Sequence, residues 1–171
     1  MGLSIVALQP LQYLGEYIPE DLENRIEQEP ETAPFRIWTP ADLSPIQYLT
    51  QFKQGWWKAF RPGQYRYESS CTSFNDMRRA ISLAIYGIQW EEVCEKIANG
   101  DIVDGPFAEM LYFSDSEGSF DYLIARKIYD DTEEYYTKVT QTLNKQQFRN
   151  WCVYRRILEE VMIYKGIAYH Y

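Results

Sequence analysis

The stretch NKQQFRNWCVYRRILEEVMIYKG, residues 144–166, constrains the fold more than any other part of the chain. Asn144 followed three residues later by Gln147 is the pattern of a reciprocal helix cap. Phe148, Trp151, Cys152, Leu158, Val161 and Met162 then form an apolar stripe, and Gly166 ends the run. A helix that is apolar along one stripe must bury it against a second layer.

Other segments supply partners for that stripe. SIVAL near the start is short and β-branched, which predicts a first strand. QYRYESSC alternates and predicts another, with Tyr65, Tyr67 and Ser69 on one side. Ser73 is the expected cap of a following helix, with Asp76 a weaker variant of the capping box and Phe74, Met77, Ile81 and Ala84 as its stripe. Gly87 stops it. A second, shorter helix follows in QWEEVCEKIANGD, with Val93 and Ile97 inward and Gly100 as its stop.

Three further segments are less regular. PEDLENRIEQEPE predicts a thinly apolar helix begun by Pro19. LSPIQYLTQFKQGWWKAFRPG predicts a helix over about 45–60. Ser44 would cap it, with Pro45 first and Gln47 completing the box. Leu49, Phe52, Trp56 and Phe60 would be buried, with Lys53, Trp57 and Arg61 on a flanking face. Pro62 and Gly63 supply the turn that ends it. AEMLYFSDSEGSFDYLIARKIYDD predicts two strands around a turn, although a helix through 120–129 fits the same residues. The tail IAYHY is expected to add an edge strand. The fold class expected is α+β: several helices packed beside a small antiparallel sheet. One domain over 1–171 is expected, in which 33–43 is a flexible connection between an acidic N-terminal segment and the main body.

Charge is distributed in blocks. Residues 1–50 carry a net −6, 51–80 a net +4, 81–134 a net −10 and 135–171 a net +4, within an overall −8. Such a patchwork offers faces to partners of opposite sign. Tyrosine is abundant, at 15 residues, and its rigid apolar body with a polar tip suits interfaces as well as cores.

Chemistry-bearing motifs are sparse. The single histidine, His170, lies one residue from the end and is expected in a solvated tail. Cys71, Cys94 and Cys152 are widely spaced, which fits reduced thiols and a cytosolic protein better than a disulfide scaffold or zinc site. Asp101 and Asp104, and Asp115 and Glu117, sit in turns without the ligand pattern of a calcium loop. Glycine-rich phosphate loops are absent. The helix pair 73–99 has the outline of a helix-turn-helix, but Glu91, Glu92 and Glu95 would repel a duplex. No catalytic residue, cofactor or metal is therefore expected, and no apolar run approaches the roughly 20 residues of a membrane span.

GWWKAFRPGQYRY, residues 55–67, interleaves aromatic and basic side chains in this acidic chain. The candidate binding residues are Lys53, Trp57, Lys58, Arg61, Tyr65, Arg66 and Tyr67, with Arg149, Arg155 and Arg156 as an extension in space. The leading expectation is a non-enzymatic interaction module, an adaptor or inhibitor that binds a protein through its charged, Tyr- and Trp-rich surface. The alternative is a nucleic-acid binder that stacks bases on 53–66 with help from 149–156. Homo-oligomers fit either expectation.

Overall fold

The computed structural model of the protein describes residues 2–17, 34–39, 46–60, 64–114 and 118–171. In chain order the elements are β1 (Gly2–Gly15), β2 (Phe35–Ile37), β3 (Gly55–Phe60), β4 (Arg66–Ser70), α1 (Cys71–Tyr86), α2 (Trp90–Ala98), α3 (Ala108–Tyr112), β5 (Gly118–Asp121), α4 (Tyr122–Glu134), α5 (Tyr136–Thr140), α6 (Lys145–Ile163) and β6 (Ile167–His170). The described residues are α+β, as expected, but the antiparallel sheet has six strands and is not small.

β1 organises the sheet. Its first half lies between β4 and β6, and its second half pairs with β3, which in turn carries β2. β3 and β4 therefore lie end to end along one edge of β1. The register slips between Pro10 and Gln12 and again between Tyr13 and Gly15. Bulges of this kind bend a strand and increase its twist. The β6 ladder ends at Leu8, so Pro10 withholds no donor from it.

Alternation along β1 divides two cores. Leu3, Ile5 and Ala7 face the helices, where they meet Tyr67, Phe120, Ala168 and the stripes of α1, α2 and α6. Val6 and Leu8 face the other way, into a smaller cluster with Ile37, Ala59 and Ile167. The sheet curls around that second cluster. At the far edge of β5, the Ser119 N–H donates to the Trp38 carbonyl just beyond β2, and the Asp121 N–H to the Tyr48 carbonyl.

Helix ends and turns follow local chemistry. Asn144 and Gln147 exchange hydrogen bonds of 2.9 Å, the expected box at the start of α6. Gly87 closes α1 in the left-handed region at φ 72, and Val93 and Ile97 are the buried residues of α2. The cap of α1 is Ser70 and not Ser73: the Ser70 hydroxyl accepts the Ser73 N–H at 3.0 Å, which frees the Ser73 hydroxyl to accept from Asn150 of α6. In α6 the buried face runs through Trp151, Tyr154, Ile157, Leu158 and Val161, while Phe148 and Cys152 of the expected stripe are exposed.

Three expectations are corrected. The helix over 45–60 is not formed by its described residues. Gly55 takes φ 135, which an α-helix does not use, and Gly55–Phe60 pairs as β3. The first of the two strands expected in 108–129 is helix α3. The second is β5 followed by α4, because the buried Asp121 side chain accepts the N–H groups of Leu123 and Ile124 and starts a helix there. The tail is a central strand, not an edge: β6 lies between β1 and β5. The helix begun by Pro19 lies outside the described residues, as do Ser44, Pro45, Pro62 and Gly63. Phe35–Ile37, within the 33–43 stretch, is β2.

Candidate functional site

Strand geometry sorts the basic aromatic segment into two faces, because successive side chains on β3 point to opposite sides. Trp57 and Ala59 turn inward. The Trp57 ring packs 5.2 Å from Tyr13 and 5.7 Å from Phe52, and its Nε1–H donates to the Lys53 carbonyl at 2.9 Å. Trp56, Lys58 and Phe60 turn outward. Arg36 of β2 stands across from Trp56, and Gln12 of β1 across from Lys58. Phe60 is 55% exposed, and Leu11, at the first bulge of β1, is 58% exposed. Among the described residues no acid pairs with Lys58.

A groove of about 300 Å³ opens beside this face, lined by Glu16, Tyr17, Arg36, Trp38, Gln54 and Gly55. The Arg36 guanidinium lies 5.8 Å from the centre of the Trp38 ring, and Tyr17 stands well out into solvent. Gly55 is required here. A Cβ at that position would meet the Gly15 carbonyl oxygen at 2.7 Å and the Tyr13 ring at 2.9 Å. Glycine lets β1 and β3 approach closely while the chain turns into the outward-facing strand.

The remaining candidate residues fall in several places. Lys53 is exposed before β3. Tyr67 is buried against Phe74 in the main core, where desolvation raises its hydroxyl to about 12. Tyr65 is exposed, and the N–H groups of Gln64 and Tyr65 donate to Glu160 of α6 at 2.7 and 3.4 Å. That bond brings the start of β4 against α6, where Tyr65 and Arg156 influence each other. The two basic segments therefore adjoin at this corner, while Lys58 lies elsewhere along β3. The arginines at the corner have acid partners in their own chain. Arg66 pairs with Glu68 at 2.8 Å, Arg156 with Glu159 at 2.7 Å, and Arg155 with Glu133. Arg155 also lies over the Tyr129 and Tyr136 rings. Arg149 is exposed on α6, and Arg61 lies outside the described residues.

The interior holds polar groups that helical or strand periodicity could not flag. Arg78 is 1% exposed. Its Nη1 donates to the carbonyls of Leu111 and Phe113 at the end of α3, and its other nitrogens reach Asn75. A helix C-terminus presents unpaired carbonyls and negative potential, so a cation belongs there. The ring of Trp90, 4.3 Å away, covers it. The Asp121 carboxylate, fully buried, also accepts from Thr50 and Gln51 and ties the loop before β3 to the start of α4.

His170 is the largest departure from expectation. It is buried in the main core, not solvated, and is caged by the rings of Phe74, Phe113 and Phe120. Burial first, and then the Arg78 charge, push its pKa down to about 3, so the ring is neutral at pH 7. The Ser114 backbone acts in the opposite direction without reaching hydrogen-bond geometry to either ring nitrogen. Burial likewise raises the Cys94 thiol to about 11 and shifts Cys152 upward, so neither is an activated thiolate at neutral pH.

Glu109, Asp104 and Asp131 gather around Lys127, which bonds the first two. Among the described residues no group of three or more His, Cys, Asp or Glu is arranged to hold a metal ion. Among them, too, no helix is long and apolar enough to cross a membrane. Comparison with protein-family models, with characterised proteins and with solved structures found no match in any of the three.

Proposed function

We propose that this chain is a non-enzymatic protein-interaction module, acting as an adaptor or inhibitor. Its docking face is the outer side of β2 and β3, and its partner is an extended acidic segment that carries apolar side chains. One observation carries this reading: Phe60, exposed on a paired strand, shares a face with Lys58, Trp56 and Arg36. Tryptophan and arginine are the residue types whose truncation most often costs an interface its affinity, and aromatic side chains are enriched at interfaces. Held on a hydrogen-bonded strand, such anchors lose little freedom on binding. Lys58 and Arg36 select for acid in the partner.

Nucleic acid is the less favoured occupant. Tracking a phosphate backbone needs several free cations, and Arg66, Arg155 and Arg156 are bound to acids of their own chain. Selection from a random peptide display library tests the proposal. Peptides that alternate acidic and apolar residues should be enriched. They should bind more weakly at high ionic strength, and about tenfold more weakly to Phe60→Ala or Lys58→Glu. Equal enrichment on the Lys58→Glu/Phe60→Ala double variant would overturn it. Tight, salt-sensitive binding of single-stranded oligonucleotides in place of peptides would transfer the face to nucleic acid.

A further inference from the structure

We propose that the outer edge of β4 pairs with β4 of a second copy of this chain, so that two sheets continue into each other across a two-fold axis at Tyr67. β4 pairs with β1 on one side, and among the described residues no strand lies beyond it on the other. The direction of its main-chain groups follows from its neighbours. Ser4 of β1 exchanges both main-chain hydrogen bonds with Tyr171, at 2.9 and 3.0 Å, so its N–H and C=O point toward the β6 side. Those of the next residue, Ile5, point the other way, to Tyr67 opposite it on β4. The main chain of Tyr67 is therefore committed to β1, while the N–H and C=O of Arg66 and Glu68 point out of the sheet edge. Among the described residues no loop or turn backbone bonds them there.

An open edge of this kind is a template for another strand. Charge commits it to a copy of itself. Arg66 and Glu68 are both exposed and, two residues apart, share one face of the strand. In an antiparallel pair centred on Tyr67, Arg66 of one chain stands opposite Glu68 of the other, and Glu68 opposite Arg66. Both contacts join opposite charges, and both fall where outward N–H and C=O groups can exchange hydrogen bonds. A slip of one residue sets those outward groups against Tyr67, whose main chain is already committed. A slip of two sets Arg66 against Arg66 or Glu68 against Glu68. Hydrogen-bond direction and charge thus select the same register, and the contact closes at two chains. Within one chain Arg66 already bonds Glu68 at 2.8 Å, so pairing two edges places each carboxylate beside an arginine of either chain. This edge is separate from the outer side of β2 and β3 and needs no partner there.

Sedimentation velocity on the full chain tests this. A short edge gives a small interface, so the concentration series runs to several hundred micromolar. Wild type should shift toward a dimer as concentration rises. Arg66→Glu and Glu68→Arg each set like charges opposite one another at both contacts, and each alone should dimerise about tenfold more weakly or worse. Mixed in equal amounts, the two variants should recover wild-type dimerisation, because the acidic edge of one meets the basic edge of the other. Neither chain has then regained its own Arg66–Glu68 pair, so recovery reports the contact between chains. The double variant Arg66→Glu/Glu68→Arg should also dimerise. A wild type that stays monomeric, single variants that dimerise as strongly as wild type, or a mixture or double variant that stays monomeric would each overturn the β4 contact. Circular dichroism verifies that every variant is folded, and Glu68→Lys replaces Glu68→Arg if that variant is not.

Discussion

Acidification from pH 7 to 5 should destabilise this protein through His170. An ordinary histidine takes a proton near 6.5, but His170 in the fold resists protonation down to about 3. Its neutral ring brings no charge to desolvate above pH 6.5, although neither ring nitrogen has a hydrogen-bond partner. Below that the unfolded chain gains a proton that the folded chain refuses, and stability is lost progressively until about pH 3. Each pH unit in that window is worth about 1.4 kcal/mol, so the loss at pH 5 is about 2 kcal/mol. Asp131, raised to about 6 by burial, works in the opposite direction, while Glu91, Asp104 and Glu159, held below the usual carboxylate range, add to the loss in stronger acid, so the absolute stability curve mixes several groups. The difference between wild type and His170→Phe removes the Asp131 contribution. Phenylalanine keeps an aromatic ring among Phe74, Phe113 and Phe120, and any packing penalty it brings is independent of pH. Urea unfolding followed by tryptophan fluorescence at pH 7, 6 and 5 gives the comparison. The variant should gain about 2 kcal/mol on wild type over that interval. A difference that stays constant with pH would mean that His170 is protonated as readily folded as unfolded, and would refute the dry aromatic cage.

Three substitutions probe the packing and the backbone by other routes. Arg78→Met should cost roughly 3 kcal/mol in urea unfolding, because the Leu111 and Phe113 carbonyls lose charged donors in a buried site; unchanged stability would show that those bonds contribute nothing. Gly166→Ala should cost at least about 2 kcal/mol, since a Cβ there would lie 2.1 Å from the Leu8 carbonyl oxygen of the central strand. Gly87→Ala has open space around it and only the left-handed φ to oppose it, so about 1 kcal/mol is expected; equal losses at the two sites would contradict the close approach of β6 and β1.

Local signals were legible wherever one residue decides one bond. The Asn144–Gln147 box and the Gly87 stop are interactions within a few residues, and the inward positions Val93 and Ile97 follow from a helical period that tertiary contacts did not overturn. The segment 45–60 misled because Leu49, Phe52, Trp56 and Phe60 are spaced three or four apart by coincidence. Pairing with β1 and β2 and the φ of Gly55 override that spacing, and both are non-local. The same error exchanged Trp57 for Trp56: helical phase puts Trp57 outside, whereas strand alternation turns Trp56 outward with Lys58. The residues 118–134 carry two periods in succession, and only the Asp121 cap marks the change. His170 was illegible for a different reason. Nothing in a sequence states whether a terminal strand joins a sheet at its edge or at its centre, and His170 is buried because β6 took the centre.

The most direct test of the docking face is a charge exchange at Lys58. Lys58→Glu should lose binding to an acidic peptide selected on the wild-type protein, measured by fluorescence anisotropy. A peptide with the facing acid changed to lysine should bind the Lys58→Glu variant and not the wild type. If the exchanged pair fails to recover binding, or if Lys58→Glu binds the original peptide as tightly as wild type does, the outer side of β2 and β3 is not where this protein meets its partner.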